Sequence, residues 1–153
     1  MEVFRIVHEK HSHRLMSSGI AARWNSDGHF VIYTSTSRAL ACLENMVHRG
    51  GEGISGLFRT LVIEVPSNLK MKKISSKDLP SEWSALENIS FTRRIGDDWL
   101  KKMSSPLLKV PSAIIPDENN LILNPAHDDF KKIKIKSIEA FTFDIRLLQK
   151  RKL

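Results

Sequence analysis

The chain has 153 residues, a net charge of +7 and 41% hydrophobic residues. That length fits one domain with a core of its own, and no apolar run approaches the ~20 residues of a membrane span. The single cysteine, Cys42, excludes an internal disulfide, and the charge narrows the partners to nucleic acid, an anionic small molecule or an acidic protein.

Val3 to Val7 predicts a first strand. His8 to His13 follows as a polar loop with three histidines. A zinc-binding helix needs His-Glu-x-x-His so that two ligands share a face, but position 12 is Ser and no Cys or Asp joins the group. A surface loop without a metal is expected. Ile20 to Trp24 leads into Asn25-Ser26-Asp27-Gly28, a turn. His29 to Ser35 alternates as a strand, with Phe30, Ile32 and Thr34 on one face and Val31, Tyr33 and Ser35 on the other. Thr36 or Ser37 is placed to cap a helix that ends near His48, before Arg49-Gly50-Gly51. Leu40, Leu43 and Val47 form its expected buried stripe, with Glu44 at the edge. A carboxylate there is costly unless something pairs with it.

Gly51 to Gly56 reads as a connecting loop, and Leu57 to Val65 as a strand ended by Pro66. An irregular, Lys-rich connection is expected over 67–82, and a helical turn over Trp83 to Ile89. Thr92 to Met103 predicts a helix with Ile95, Trp99 and Met103 on one face. Strands are expected at Leu107–Pro111, Ala113–Pro116, Leu121–Leu123, Ile133–Ile138 and Ala140–Asp144, with a turn at Asp117–Asn120. Lys131, Lys132, Lys134 and Lys136 read as the wet side of a half-exposed strand, and Lys150-Arg151-Lys152 as a solvated end. Strands outnumber helices in mixed order, so the expected class is α+β: one domain over 1–153, a mixed sheet with flanking helices. The N-terminus, MEVFRIVHEK, has none of the segments of a signal peptide, and the expected compartment is cytoplasmic.

Several motifs are absent. Gly50-Gly51-Glu52-Gly53 follows a helix and so lacks the context of a phosphate loop. There is no GxSxG elbow, and Cys42 has no recognisable catalytic partner. Aromatics are not interleaved with the basic run as a single-strand nucleic-acid platform requires. Taken singly, Arg23, Tyr33 and Glu44 have ordinary readings as a rim cation, a core phenol and a paired rim carboxylate.

Taken in order, the pieces form a larger pattern. Val3-Phe4-Arg5-Ile6 is followed by Ala22-Arg23-Trp24-Asn25, Val31-Ile32-Tyr33-Thr34-Ser35 and Leu43-Glu44. Asp78-Leu79-Pro80 with Trp83, Gly96-Asp97-Asp98-Trp99-Leu100 and Val110-Pro111-Ser112 come next. Ile115-Pro116, Leu123-Asn124-Pro125-Ala126-His127 and Phe143-Asp144 close the series. In this order and spacing, over nearly the whole chain, the sequence resembles the RES-domain family, named for its Arg, Glu and Ser.

The resemblance implies a fold similar to ADP-ribosyltransferases of the diphtheria-toxin type. It implies the toxin of a toxin–antitoxin pair, with an Xre-like helix-turn-helix antitoxin covering the site and DNA contacted only through that partner. It implies NAD as substrate, with water, phosphate or a protein accepting ADP-ribose. Arg23, Glu44 and Ser112 are the expected Arg, Glu and Ser, and Tyr33 the site tyrosine, with Arg23 expected to pair with the pyrophosphate, Glu44 to stabilise the ribose cation and Ser112 to hydrogen-bond ribose or support Glu44; Trp24, Asn25 and Asn124 are expected in the NAD-binding wall. Two other readings stay open: a protein ADP-ribosyltransferase, and a non-catalytic basic module that binds nucleic acid or protein.

Overall fold

The computed structural model of the chain describes residues 1–48 and 57–148. Among these residues, seven strands form one mixed sheet: β1 (Glu2–His8), β2 (Ile32–Ser35), β3 (Phe58–Glu64), β4 (Met71–Lys73), β5 (Leu107–Pro111), β6 (Asn119–Leu123) and β7 (Lys134–Phe141). Their order is β4-β5-β6-β2-β1-β3-β7, and only β4 and β5 run parallel. Two helices, α1 (Arg38–His48) and α2 (Ile89–Lys102), flank the sheet. The α+β expectation holds.

The feature that matters for the site is a break in pairing. β1 pairs with β3 along all seven of its residues, but with β2 only at Phe4–Ser35. The sheet is therefore two blocks, β4-β5-β6-β2 and β1-β3-β7, joined at one pair. Beyond it the strands part. A backbone carbonyl left there needs another donor, and Asn45 of α1 supplies one, its Nδ2 donating to Ile6 O at 2.8 Å.

Alternation along the strands feeds a core on each face. Leu107, Leu121, Leu123, Ile32 and Ile63 pack on one side, and Leu108, Val110, Ile122, Trp83 and Trp99 on the other. Ile6, Ala41, Phe58 and Phe143 fill the space beneath α1.

The Ser37 side chain caps α1, its Oγ accepting the Leu40 N–H at 3.1 Å. The buried face of α1 differs from the expected stripe. Leu40 and Ala41 are buried, Leu43 is partly covered, and Val47 is 61% exposed. The reason is the break in the sheet: α1 lies over a cleft, so polar Glu44 and Asn45 face it, and the exposed His48 borders it. α2 likewise buries Thr92, Gly96, Trp99 and Leu100, and Met103 leaves it in the left-handed conformation (φ 47°) with its side chain exposed.

Other expectations need correction. His29 to Val31 is not strand; β2 begins at Ile32. The irregular 67–82 stretch contains β4 and a short helical turn, Ser76–Asp78, capped by Ser75. Ala113 to Pro116 is not a strand, because Ser112 Oγ accepts the N–H groups of Ile114 (3.0 Å) and Ile115 (3.2 Å) and bends the chain. The two closing strands are one, β7, which passes through Glu139. Lys131 and Lys132 belong to a helical turn, Asp128–Lys132, and not to a strand. The expected helix stop at Arg49-Gly50-Gly51, the Gly51–Gly56 loop and the Lys150–Lys152 tail lie outside the described residues.

Candidate active site

Tyr33 stands on β2 and its phenol is bonded twice. The oxygen accepts the Trp24 N–H at 2.9 Å and donates to Asn25 Oδ1 at 2.8 Å. Burial pushes this phenol well above its ordinary range, so it stays protonated and acts as a donor. Asn25 is itself buried and fixes the turn, its Nδ2 donating to Ile20 O (2.9 Å) and His29 O (3.0 Å).

The segment before β2 is clamped by α2. Thr92 Oγ1 donates to Arg23 O at 2.6 Å, and Arg93 Nε to Ala22 O at 2.8 Å. Asp97 accepts both the Ser26 N–H (3.0 Å) and the Ser26 hydroxyl (2.6 Å). Gly96 lets the two backbones approach: a Cβ there would lie 1.7 Å from Trp24 O. None of Thr92, Arg93, Gly96 or Asp97 was identified from the sequence as a support for this segment.

Glu44 is held by groups distant in sequence. Its Oε1 accepts from Ser112 Oγ at 3.0 Å and from Asn120 Nδ2 at 2.5 Å. Asn120 Oδ1 in turn accepts from Ser35 Oγ at 2.8 Å. Ser112, Asn120 and Ser35 are all buried, while the Glu44 side chain is 20% exposed. The other carboxylate oxygen, Oε2, lies 3.7 Å from His48 Nε2.

These groups border a cleft of about 590 Å³ at the parting of β1 and β2. Asn25, Tyr33, Ser35, Glu44 and Asn120 line it together with Arg5, His8, His11 and Arg14. Arg5 lies on β1, and its Nη1 donates to Met16 O at 2.8 Å, holding the segment that covers the cleft. Burial lowers its pKa, but a guanidinium keeps its charge at any physiological pH.

Of the residues expected at the site, Tyr33, Glu44 and Asn25 line the cleft, and Ser112 reaches it through Glu44. Arg23 does not line it. Its guanidinium donates to Trp83 O at 3.3 Å and lies 5.9 Å from the Trp83 ring. Desolvation lowers the Arg23 pKa, and the Glu44 carboxylate opposes that change. The Trp24 ring is buried beside Trp83, with ring centroids 5.9 Å apart. Asn124 lies elsewhere, buried, with its side chain on Met103 Sδ (3.4 Å) and the Ala126 N–H (3.0 Å). The histidines of 8–13 form no metal cluster: among the described residues no three His, Cys, Asp or Glu side chains are placed to hold an ion.

Arg5, Ser35 and Asn120 were not singled out from the sequence as site residues. Arg5 had a readable signal, a cation at an inward position of the alternating Val3-x-Arg5-x-Val7 run. Asn120 was hidden by its reading as a turn residue, although it belongs to β6.

The RES domain matches residues 2–144 of the chain. The chain belongs to the RES family. It is 39% identical over 131 residues to Prs ADP-ribosylating toxin of Sphingobium sp. (strain YBL2), spanning 84% of this chain and 81% of that protein. It is also 39% identical over 132 residues to Toxin Res of Photorhabdus laumondii, spanning 85% and 83%. The fold is similar to the M. tuberculosis MbcT–MbcA toxin–antitoxin complex, with a TM-score of 0.72 at 16% identity over 92% of this chain and 84% of that one. In this chain the cleft lies where β1 and β2 part, with Glu44, Ser112 and Asn120 hydrogen-bonded at its side.

Proposed function

We propose that this RES protein is the toxin of a toxin–antitoxin pair, and that it cleaves the nicotinamide–ribose bond of NAD. The toxin names of its relatives support the role. The observation that carries the chemistry is Glu44, a carboxylate fixed at one oxygen by Ser112 and Asn120, with the other at the cleft.

When the bond from ribose C1′ to the nicotinamide nitrogen breaks, its electron pair leaves with a neutral ring and the ribose becomes oxocarbenium-like. Glu44 stabilises that cation and accepts from the ribose hydroxyls. Water or phosphate then adds to C1′. Arg5, with its planar fork, pairs with the pyrophosphate, and Tyr33 presents a ring face to nicotinamide or the adjoining ribose. Arg23, expected from the resemblance to pair with the pyrophosphate, is bonded to Trp83 O and adds positive field near Glu44. Ser112 and Asn120 position the carboxylate.

The test is to incubate purified protein with NAD, with and without phosphate, and follow nicotinamide. Release only with phosphate identifies a phosphorylase, and release in both a hydrolase. Glu44→Gln is expected to abolish release, and turnover by a correctly folded Glu44→Gln protein overturns the assignment.

A second reading keeps the site but sends ADP-ribose to a protein. The ADP-ribosylating relative at 39% identity favours it. Added mass on a target protein, with little free ADP-ribose, separates it from the first.

The partner in this reading is an Xre-like antitoxin that covers the cleft with a carboxylate-bearing segment, matched to Arg5 and Arg14. The compartment is the cytoplasm. A basic binding module is disfavoured because the lysine run is partly neutralised: Lys132 pairs with Asp129 at 2.6 Å and Lys136 with Glu2 at 2.5 Å.

A further inference from the structure

We propose that Ser35 is a positioning residue for Glu44 that acts through Asn120: its hydroxyl holds the Asn120 carboxamide from behind, so that Nδ2 stays on Glu44 Oε1. The inference rests on the NAD-cleaving reading above. It extends the machinery of that site outward, into a run of hydroxyls that joins β2 to β6.

Thr34, Ser35, Thr36 and Ser37 are four hydroxyl residues in a row. Each donates to a different one of four consecutive residues on the facing chain. Thr34 Oγ1 donates to Leu121 O (2.6 Å) and Ser35 Oγ to Asn120 Oδ1 (2.8 Å). Thr36 Oγ1 donates to Asn119 O (2.9 Å) and Ser37 Oγ to Glu118 Oε2 (2.6 Å). The antiparallel register sets Ser35 opposite Asn120 and Thr34 opposite Leu121, and side chains directly opposite are within reach of each other. The ladder pins the joint between β2 and α1, the helix that carries Glu44, to the start of β6, the strand that carries Asn120. Both ends of the Glu44–Asn120 bond are thereby referred to one frame.

The rungs differ in what they meet. Thr34 and Thr36 end on backbone carbonyls, and Ser37 caps α1 as well as holding Glu118. Ser35 ends on a side chain that itself touches Glu44. An ionised carboxylate only accepts, so Asn120 turns its Nδ2 to Glu44 Oε1 at 2.5 Å. Oδ1 of the same amide then faces away, in a buried place, and needs a donor. Ser35, buried with it, is that donor.

Donation into Oδ1 also polarises the amide and strengthens Nδ2–H as a donor to the carboxylate. Without the Ser35 hydroxyl a buried acceptor is left unpaired, and the amide plane is no longer fixed from behind. Glu44 Oε1 then keeps only Ser112 at full strength. A carboxylate that turns about that single bond carries Oε2, the oxygen left for the ribose, out of place.

The experiment compares Ser35→Ala with Thr36→Val, which removes the neighbouring rung. In the first arm kcat and KM for nicotinamide release are measured. Ser35→Ala is expected to lower kcat about threefold to tenfold, the span of one hydrogen bond, with KM within about twofold. Thr36→Val is expected to lower Tm and keep the native kcat. In an Asn120→Ala background, adding Ser35→Ala is expected to cost less than about twofold more, because the amide through which it acts is gone. An equal kcat loss from Ser35→Ala in both backgrounds, or the same loss in Thr36→Val, overturns the proposal. The second arm needs no NAD. The Asn120 carboxamide signals are followed by 15N NMR. Ser35→Ala is expected to shift and broaden them, and Thr36→Val to move them much less. Equal changes in the two variants overturn the proposal. Absence of nicotinamide release from native protein would count against the proposed function, and the second arm would still decide whether Ser35 holds the amide.

Discussion

Ser112, just past the end of β5, and Asn120 on β6 reach the same oxygen of Glu44, so each carries part of one task. Removing either donor leaves the carboxylate with one bond at Oε1. A hydrogen bond to a charged group contributes about 1.5–3 kcal/mol, so Ser112→Ala and Asn120→Ala are each expected to lower kcat/KM for nicotinamide release about tenfold or more. The double variant should lose less than the product of the two, because both act through one atom. Full activity in both single variants would remove them from the site. Tyr33→Phe is a stability test. It strands the Trp24 N–H and Asn25 Oδ1, at about 1–3 kcal/mol, read by urea denaturation. The folded-state phenol pKa is raised above its ordinary value of 10.0, so its contribution is full below about pH 10 and is lost as pH rises beyond it. Native protein should weaken between pH 10 and 11 in a way that Tyr33→Phe does not. At this scale Glu44 was legible, since a carboxylate bordering an apolar stripe demands a partner. Of its partners, Ser112 was expected only through the family resemblance, as a group to hydrogen-bond ribose or support Glu44. It lies 68 positions away, no local pattern links the two, and Asn120 was not legible at all.

The α2 helix illustrates what periodicity reveals and what it omits. Its existence and most of its length follow from the spacing of Ile95 and Trp99. Its role as a clamp does not, because that depends on polar and small residues meeting backbone atoms of the Ala22–Ser26 segment. Gly96→Ala isolates the role. The new Cβ would meet the Trp24 carbonyl, a backbone group that cannot turn aside. Overpacking costs typically 1–3 kcal/mol and occasionally more, and this variant is expected at or above the top of that range, measured as a fall in Tm. A neutral result would mean that α2 and the segment separate easily. For α1 the expected stripe was rotated because the helix covers a cleft, so its inward face is part polar and hydrophobic spacing alone points to the wrong edge.

Across the molecule, composition and strand count were enough for the α+β class. Strand order was not legible, since β1 lies between β2 and β3 and joins the blocks by one long-range pair, for which sequence carries no spacing rule. A ligand seated at that parting touches both blocks. NAD is therefore expected to slow amide exchange in β1 and β2 together, in the catalytically silent Glu44→Gln protein, relative to β7. Protection confined to one block would place the ligand elsewhere.

The β3–β7 register shifts between Val62 and Ile63, where the partner residue moves from Ser137 to Ile135 and leaves Lys136 as an extra residue. Such a bulge sharpens the local twist, and β3 passes that twist to β1, one rail of the cleft. The gap at the centre thus inherits its width from a fold in the outermost strand. Lineages of this protein could retune the grip on substrate through the rim of the sheet, with every residue that touches the ligand unchanged.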